Sequence, residues 1–473
     1  MSSFLKKLFS GKKSKNRESS PKSSGTIEPL VLTRDAHCIS RKLISKNALK
    51  VLYRLNDAGY QSYLVGGGVR DILLGLRPKD FDIATDATPE EIAKLFRNCR
   101  LIGRRFRLAH ILFGREVIEV ATFRAPHDLP ATTSSSKYRH KKNEKSRTSN
   151  QGMLVRDNVY GSLEDDAFRR DFTVNALYYT VKNFSVIDYV GGLEDLAERK
   201  LKLIGDPKTR YTEDPVRMLR AVRLACKLNL AIEESTASPI KKMSSLLENI
   251  SPARLWDESN KLLLAGYAKS TWQSLIDYQL AKYLFPQTLE QIYKSKDDPE
   301  TSKFLHFINA ALKNTDLRIK NEQPVTPAFL YAVFLWLPQQ RLASVLNNKG
   351  LPYFESQQKA ASKIITTQCQ SISIPKRFSM VIKDIWMLQT RLPNLRKKNV
   401  DRVIAHPKFR AGYDFLCLRA GDDPSLKSLA DWWTEYQKVD TNQRLKMLKS
   451  HQPKASKRQR NRRKPKNRMR KDS

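Results

Sequence analysis

Asp80 and Asp82 stand one residue apart, shortly after the glycine turn Leu64-Val65-Gly66-Gly67-Gly68-Val69-Arg70-Asp71. On a strand, side chains at i and i+2 leave from one face, so the two carboxylates would project together. Paired carboxylates suit a hard divalent cation such as Mg²⁺, which takes oxygen ligands and keeps positions open for phosphate. The glycines upstream let backbone N–H groups approach an anion closely, and Arg70 adds a charge beside them. A phosphate cradle next to a metal-holding pair is the equipment of nucleotidyl transfer. Glu119, an acidic residue inside an apolar strand pattern, is the candidate for a third carboxylate on the metal. A solvent-facing glutamate on a half-exposed sheet is the alternative.

Two later clusters add to the set. In Arg169-Arg170-Asp171 the bland reading is a surface ion-pair cluster of little worth. Beside the first motif, the functional reading puts Arg170 on a triphosphate and Asp171 near the ribose hydroxyls. In Glu213-Asp214-Pro215-Val216-Arg217-Met218-Leu219-Arg220, the residues Arg217, Arg220, Arg223 and Lys227 share one helical face. Such a face could simply lie across an RNA backbone. A sharper reading takes Asp214 and Arg217 as i,i+3 neighbours that offer an acceptor and a donor in one plane. Adenine, with N6–H₂ and N1, and cytosine, with N4–H₂ and N3, match that order, whereas uracil and guanine reverse it. The pair selects A and C together and does not separate them.

The elements that must hold these groups follow from period and punctuation. Residues 47–55 have helical spacing, and Tyr63-Leu64-Val65 enters the glycine turn as a strand. Ile72-Leu73-Leu74 reads as a short helix and 80–84 as the next strand. Thr88-Pro89-Glu90-Glu91 combines an N-cap, a first-turn proline and a glutamate three residues after the cap. Residues 109–113 and 117–123 form a hairpin, Ser162 caps a helix running through Ala176, and 178–181 with 185–189 make another hairpin. After Gly191-Gly192 the pattern is helical, with helices expected over 212–228, 253–265, 272–285, 304–312, 327–337, 357–367, 380–390 and 429–439. The fold class is therefore α+β: a small mixed α/β head, then an all-α neck and body, with disordered basic ends. The expected division is a basic N-terminal segment 1–28, a catalytic head 29–195, a neck 196–277, a body 278–450 and a basic tail 451–473. The stretch 125–150 reads as a basic loop inserted in the head.

Composition narrows the partners. With 86 Lys+Arg against 48 Asp+Glu over 473 residues, the net charge is +38, which calls for a polyanion bound through its phosphates. Phe4-Leu5 and Leu8-Phe9 among lysines could make one amphipathic turn at a membrane surface, though a solvated basic tail is the favoured reading. No apolar run reaches the roughly 18 residues of a spanning helix. Cys38, Cys99, Cys226, Cys369 and Cys417 are scattered, which argues for a reducing, cytoplasmic setting without structural zinc or a disulfide framework.

These motifs, in this order, resemble the nucleotidyltransferase class that contains bacterial CCA-adding enzymes and bacterial poly(A) polymerases, over about residues 39–436. The carriers are the Gly-Gly-x-Val-Arg-Asp turn, Asp80-Phe81-Asp82, the Arg-Arg-Asp-x-Thr-x-Asn run from Arg169, and the Glu-Asp-x-x-Arg-x-x-Arg run from Glu213. The resemblance implies metal ions on Asp80 and Asp82, ATP on Gly67, Arg70, Arg170, Arg217 and Arg220, and Asp171 as an essential acid. Gly66 of the turn and the base-reading Asp214 join the expected ATP site from the residues themselves. Leu101-Ile102-Gly103-Arg104-Arg105-Phe106-Arg107-Leu108-Ala109-His110, Ile374-Pro375-Lys376-Arg377 and the basic tail look like the poly(A) polymerase branch. The implied activity is template-independent transfer of AMP from ATP to RNA 3′ ends, with Mg²⁺, marking RNAs for decay and quality control. RNA-decay machinery is an implied partner. The rivals are a CCA-adding tRNA nucleotidyltransferase and a non-catalytic basic RNA-binding protein on the same fold.

Overall fold

The computed structural model describes residues 28–103, 107–125, 147–148, 154–156, 159–294, 298–421 and 423–450. Expectations for the amphipathic turn near the N-terminus, for Arg104 to Phe106, for most of 125–150 and for the tail beyond 450 lie outside these residues. The described residues fall into two compact units, one of residues up to 290 with 312–325 and 367–374, the other of the remainder.

The first unit is built on a large mixed sheet. In chain order the strands are β1 (Leu30–Leu32), β2 (Ser62–Val65), β3 (Asp82–Thr85), β4 (Cys99–Ile102), β5 (Leu108–Phe113) and β6 (Glu116–Thr122). There follow β7 (Arg147–Thr148), β8 (Leu154–Arg156), β9 (Leu177–Tyr179) and β10 (Val186–Asp188). β7 and β8 form a separate short pair, and the others make one eight-stranded sheet in the order β1-β10-β9-β2-β3-β6-β5-β4. The sheet is antiparallel except where β3 and β6 run parallel, with Asp82 opposite Glu119. The alternation of β6 explains its setting: Ile118, Val120 and Thr122 are buried, while Val117 and Glu119 face outward. One face packs on the Lys46–Asp57 helix through Ala48, Val51, Leu52 and Leu55. That helix starts where Ser45 accepts from the Asn47 and Ala48 N–H groups.

Several expected boundaries move. The helix after the glycine turn begins at Gly67, not Ile72, so Arg70 and Asp71 are inside it. β3 begins at Asp82, which leaves Asp80 in the lead-in rather than in the ladder. The Thr88 capping box forms as expected, with Glu91 returning to the Thr88 N–H. The helix capped by Ser162 stops at Arg169, so Arg170 and Asp171 sit in extended chain ahead of a short turn at Thr173–Asn175. The expected 212–228 helix is two, Pro207–Glu213 and Val216–Leu228, because Pro215 cannot donate within a continuous helix. Six strands are additional to the sequence expectations: β1, β4, β7 and β8, and β11 (Lys200–Leu201) and β12 (Ala231–Ile232), the last two paired in parallel.

The second unit is helical. Trp386 and Trp433 are fully buried, and their indole N–H groups donate to the Ala332 and Leu392 carbonyls at 3.0 Å each. Phe307, Phe329 and Trp336 stand edge-on to Phe415 at its centre. Helices at Lys397–Ile404, Phe409–Ala420 and Thr441–Ser450 had no counterpart in the sequence expectations. Among the described residues no helix is long and apolar enough to cross a membrane.

Candidate active site

The glycine turn is a backbone device. Gly66 caps the Gly67–Leu73 helix with φ +71°, a conformation open to glycine and strained for other residues. Gly68 allows the turn to lie against the Asp80-Phe81-Asp82 segment: a Cβ there would meet the Asp80 carbonyl and the Phe81 ring at 3.5 Å. The two halves of the first motif are thus in contact at Gly68.

Asp82 opens a row across three neighbouring strands. Its register partner on β6 is Glu119, and Glu119 in turn pairs with His110 on β5. The His110 Nε2 lies 3.3 Å from Glu119 Oε1. Asp82 has open surface, yet protein around its carboxyl and the charges of Glu119 and Asp80 push its pKa up to about 6, against the pull of Arg170. Carboxylates crowded enough to repel each other in this way form a site that a cation relieves. Among the described residues no three His, Cys, Asp or Glu side chains converge into a closed metal cage. Mg²⁺ needs none, because one or two carboxylates with substrate phosphates and water complete its octahedron. Asp80 and Asp82, with Glu119 adjoining, are the residues that fit it. His110 was not singled out in the sequence; its place opposite Glu119 depends on strand register.

Arg170 faces the glycine turn. Its Nη1 would lie 3.7 Å from a Cβ at Gly66. Its Nε and Nη2 are held by Asp166 at 3.1 and 2.8 Å, and its Nε also by the Tyr178 hydroxyl at 2.9 Å. Nη1 donates to nothing among the described residues, so the guanidinium is oriented by two of its nitrogens with the third free for a ligand. Burial opposes its charge, but Tyr178 and Asp166 outweigh burial and hold its pKa above the usual arginine value. Arg169, by contrast, is pushed down to about 9 by burial and by the neighbouring guanidiniums of Arg124, Arg210, Arg217 and Arg170. That much like charge in one place is a standing attraction for a polyanion.

Arg70 is a correction. Instead of lying beside the turn as an anion contact, it lies beneath it, 4% exposed. It donates to Asp71 Oδ1 at 2.9 and 2.6 Å and to the Asn175 side chain. Its Nη2 would stand 3.5 Å from a Cβ at Gly67, so it props the turn from inside.

Asp171 is likewise an interior group. Its Oδ1 accepts from the Phe172 N–H at 2.9 Å and the Asn175 amide at 3.2 Å, and its Oδ2 from Arg220 Nε at 2.7 Å. Burial alone would push its carboxyl up, but Arg220 and Asn175 outweigh it and hold it down at about 2. This bond joins the chain after the Leu163–Arg169 helix to the Val216–Leu228 helix.

Asp214 and Arg217 are not joined to each other by their side chains. Asp214 lies in the link before the second helix, with φ −148° and ψ 92°. Its Oδ2 accepts from Arg254 at 2.8 Å and its Oδ1 from the Val216 N–H at 3.3 Å. Arg217 Nη1 donates to Glu213 Oε2 at 2.7 Å and to the Arg210 carbonyl at 2.6 Å. The expectation of two neighbours on one continuous helix is thereby corrected, and each group is oriented by a third residue instead. Arg210 was also missed by the sequence reading. Its Nη2 donates to the Arg169 and Arg170 carbonyls at 2.6 Å, tying the two motifs together. The i,i+4 spacing of Asp166 and Arg170 was a legible signal; the bonds of Arg210 and Arg254 depend on tertiary packing.

Comparison with known proteins adds to this geometry. The family described as Poly A polymerase head domain matches residues 62–202. One described as a probable RNA- and SrmB-binding site of polymerase A matches 229–292, and one described as the polymerase A arginine-rich C-terminus matches 349–468. Poly(A) polymerase I of Salmonella typhimurium is 49% identical over 440 residues, 92% of this chain and 91% of its own. The same enzyme of Escherichia coli O157:H7 is 47% identical over the same shares. The CCA-adding enzyme of Bacillus pumilus is 35% identical over 50% of this chain and 54% of its own. A solved tRNA-processing enzyme with CTP shares the fold at a TM-score of 0.53 and 23% identity, covering 85% of this chain and 96% of its own.

Proposed function

The chain belongs to the poly(A) polymerase family of nucleotidyltransferases, and on that premise we propose that it extends RNA 3′ ends with AMP from ATP, without a template, releasing pyrophosphate. The observation that carries the reading is the contact between the glycine turn and the Asp80-Phe81-Asp82 segment, with the free Arg170 Nη1 alongside. Backbone N–H groups of the turn and Arg170 would hold the triphosphate, and Asp80 and Asp82 would hold Mg²⁺ beside it. Bound there, Mg²⁺ supplies charge neutralisation of the phosphates and an activated 3′-hydroxyl. Asp166 and Tyr178 fix the Arg170 plane, and Arg210 fixes the backbone that carries it. Arg220 is kept in place by Asp171. Cytoplasmic action on messenger and regulatory RNA, with RNA-decay proteins as partners, belongs to the same reading. So does the division into head 29–195, neck 196–277 and body 278–450 between basic extensions.

The test is nucleotide incorporation on a generic RNA and on tRNA lacking its terminal CCA, with each of the four nucleoside triphosphates in turn. ATP alone should be added repeatedly to both. CTP addition confined to tRNA would favour the CCA-adding reading, and no incorporation at all would leave only RNA binding. Base selection gives a second readout. Asp214→Ala should remove a charged hydrogen bond of roughly 1.5–3 kcal/mol to adenine, together with the repulsion that excludes the O4 of uracil. The ATP/UTP preference should collapse while the ATP/CTP preference barely changes; an equal fall in both would make Asp214 merely the residue that positions Arg254.

The strongly basic segment from Lys454 to Ser473 is proposed to bind RNA backbone. Deleting it should flatten the salt dependence of RNA affinity, by roughly 0.7 in slope for each phosphate that the shortened chain no longer neutralises. Turnover at saturating RNA should change little, and an unchanged slope would exclude RNA binding by this segment.

A further inference from the structure

The helical second unit contains a half-open cavity of about 170 Å³, none of whose lining residues belongs to the candidate active site. Its lining includes Trp336, Tyr353, Gln340, Gln389, Thr390 and Arg419. Arg419 is the chemically unusual member. Its guanidinium lies 4.5 Å from the Trp336 ring centroid, and that indole is in turn in a T-shaped contact with Phe415. One N–H, on Nη1, reaches Gln389 Oε1 at 3.2 Å. The other four of its five N–H groups have no acceptor among the described residues. No carboxylate pairs with it there; Asp423 attracts it from a distance but makes its ion pair with Lys303 at 3.7 Å. Burial therefore pulls its pKa down to about 10.

The amides around it are set by other bonds. Gln389 Nε2 donates to the Ile385 and Gly412 carbonyls at 3.2 and 2.9 Å, which fixes its oxygen toward Arg419. Gln340 Nε2 is taken by Gln339 and Gln357, so its Oε1 remains an acceptor without a donor among the described residues. Tyr353 stands at the rim, 57% exposed. The cavity thus offers a stacking plane in a guanidinium already pressed on an indole, an aromatic ring at the opening, amide acceptors and unpaired donors for an anion. Single-stranded RNA is read in this way, by bases stacked on aromatic rings or arginine planes and hydrogen-bonded along their edges. The volume suits one heterocycle, since a cavity of about 150 Å³ accepts a benzene-sized ring. Arg391, which follows Thr390 in the chain, lies over the Phe354 ring next to Tyr353 and supplies a second cation by the rim.

Resting on the polymerase reading above, we propose that this cavity is a subsite for one nucleotide of the RNA strand, its base stacked on Arg419 and Tyr353 and its phosphate on the free Arg419 N–H groups. A free nucleotide triphosphate presents the same base and phosphate, but no carboxylate pair lines the cavity to hold its metal.

The test uses the full chain and separates binding from transfer. Affinity for fluorescein-labelled single-stranded oligo(A) is read by anisotropy, and KM for RNA and for ATP from AMP incorporation. Tyr353→Ala, at an exposed position, and Arg419→Gln should each weaken RNA binding and raise the RNA KM by about 5-fold or more, the effect of one lost base stack. The ATP KM should stay within error, and thiouridine-substituted RNA should crosslink to Tyr353 in the parent protein. Arg419→Lys, which keeps charge but loses the plane, should behave as Arg419→Gln. Unchanged RNA affinity in folded Tyr353→Ala and Arg419→Gln would overturn the proposal. Labelling of Tyr353 by photoreactive azido-ATP, without an RNA crosslink, would overturn the strand assignment in favour of a free nucleotide. Absence of AMP transfer in the parent protein would instead strike the polymerase reading, because the anisotropy arm does not depend on transfer.

Discussion

Asp82→Asn is expected to cut AMP transfer by on the order of 10³-fold or more, several kcal/mol of transition-state stabilisation, while RNA affinity stays level or rises. The same substitution should make the metal-free protein at least as stable as the parent. Asp82 has a carboxyl pKa raised from 3.8 to about 6 by burial and by Glu119 and Asp80. A raised acid pKa in the folded state means that the native protein holds the proton more tightly than the unfolded chain. At neutral pH the ionised form therefore opposes folding, and an amide removes that opposition. Asp80→Asn should match it in lost activity. Incorporation assays with urea unfolding in chelator check both halves. A mutant that keeps more than about a tenth of parental activity, against the expected loss of several kcal/mol, would remove the residue from the metal site. A mutant that loses stability would show that the carboxylate has a structural partner.

Asp171→Ala should have the largest effect on folding. The substitution leaves the Arg220 guanidinium without its carboxylate and the Phe172 N–H and Asn175 amide without their acceptor. The Asp171 side chain is 12% exposed but that of Arg220 37%, so solvent screens the pair and the cost should fall below the about 3–5 kcal/mol of breaking one side of a fully buried pair. Arg220 would be released from its position in the same step. Asp171→Asn keeps an oxygen for the Phe172 N–H and loses only the charge, so its cost should be smaller. The pH dependence has a definite sign. The carboxyl is held down from 3.8 to about 2, so its contribution to stability is present above the unfolded value and is lost as pH falls from about 3.8 toward 2. Urea unfolding across that window should show the acid loss in the parent and a flatter limb in Asp171→Asn. Equal limbs in the two proteins would mean that Arg220 does not stabilise the charge.

Local pattern went a long way with this chain because each candidate motif is a short run of sequence tied to a turn or a helix end. Gly66 announces a positive φ, Asp80 and Asp82 announce an open carboxylate pair, and Thr88 with Glu91 announces a capped helix, each from one short stretch. Element limits were less legible. The helix at the glycine turn starts at Gly67, directly after Gly66 at positive φ, and Gly68 lies against the Asp80-Phe81 segment, a contact that period alone does not encode. The break before Val216 was written in Pro215, yet the apolar period continued through it and masked it.

What the sequence determined by itself was the reaction chemistry, the acidic pair, the cationic runs and the α/β-then-α order of the chain. Whether a cation faces ligand or interior was decided only by tertiary structure. Arg70 and Arg170 have the same side chain in equally suggestive motifs, but Arg70 is closed in by Asp71 and Asn175 while Arg170 keeps one nitrogen free beside Gly66. The pairing of Asp82 with Glu119, of Asp171 with Arg220 and of Asp214 with Arg254 likewise joins residues far apart in the chain. A charged group's fate depends on which opposite charge the fold brings within a few ångströms, because burial penalises an unpaired ion heavily. Sequence spacing constrains such partners within a turn or two of helix, and only the packed structure constrains the rest.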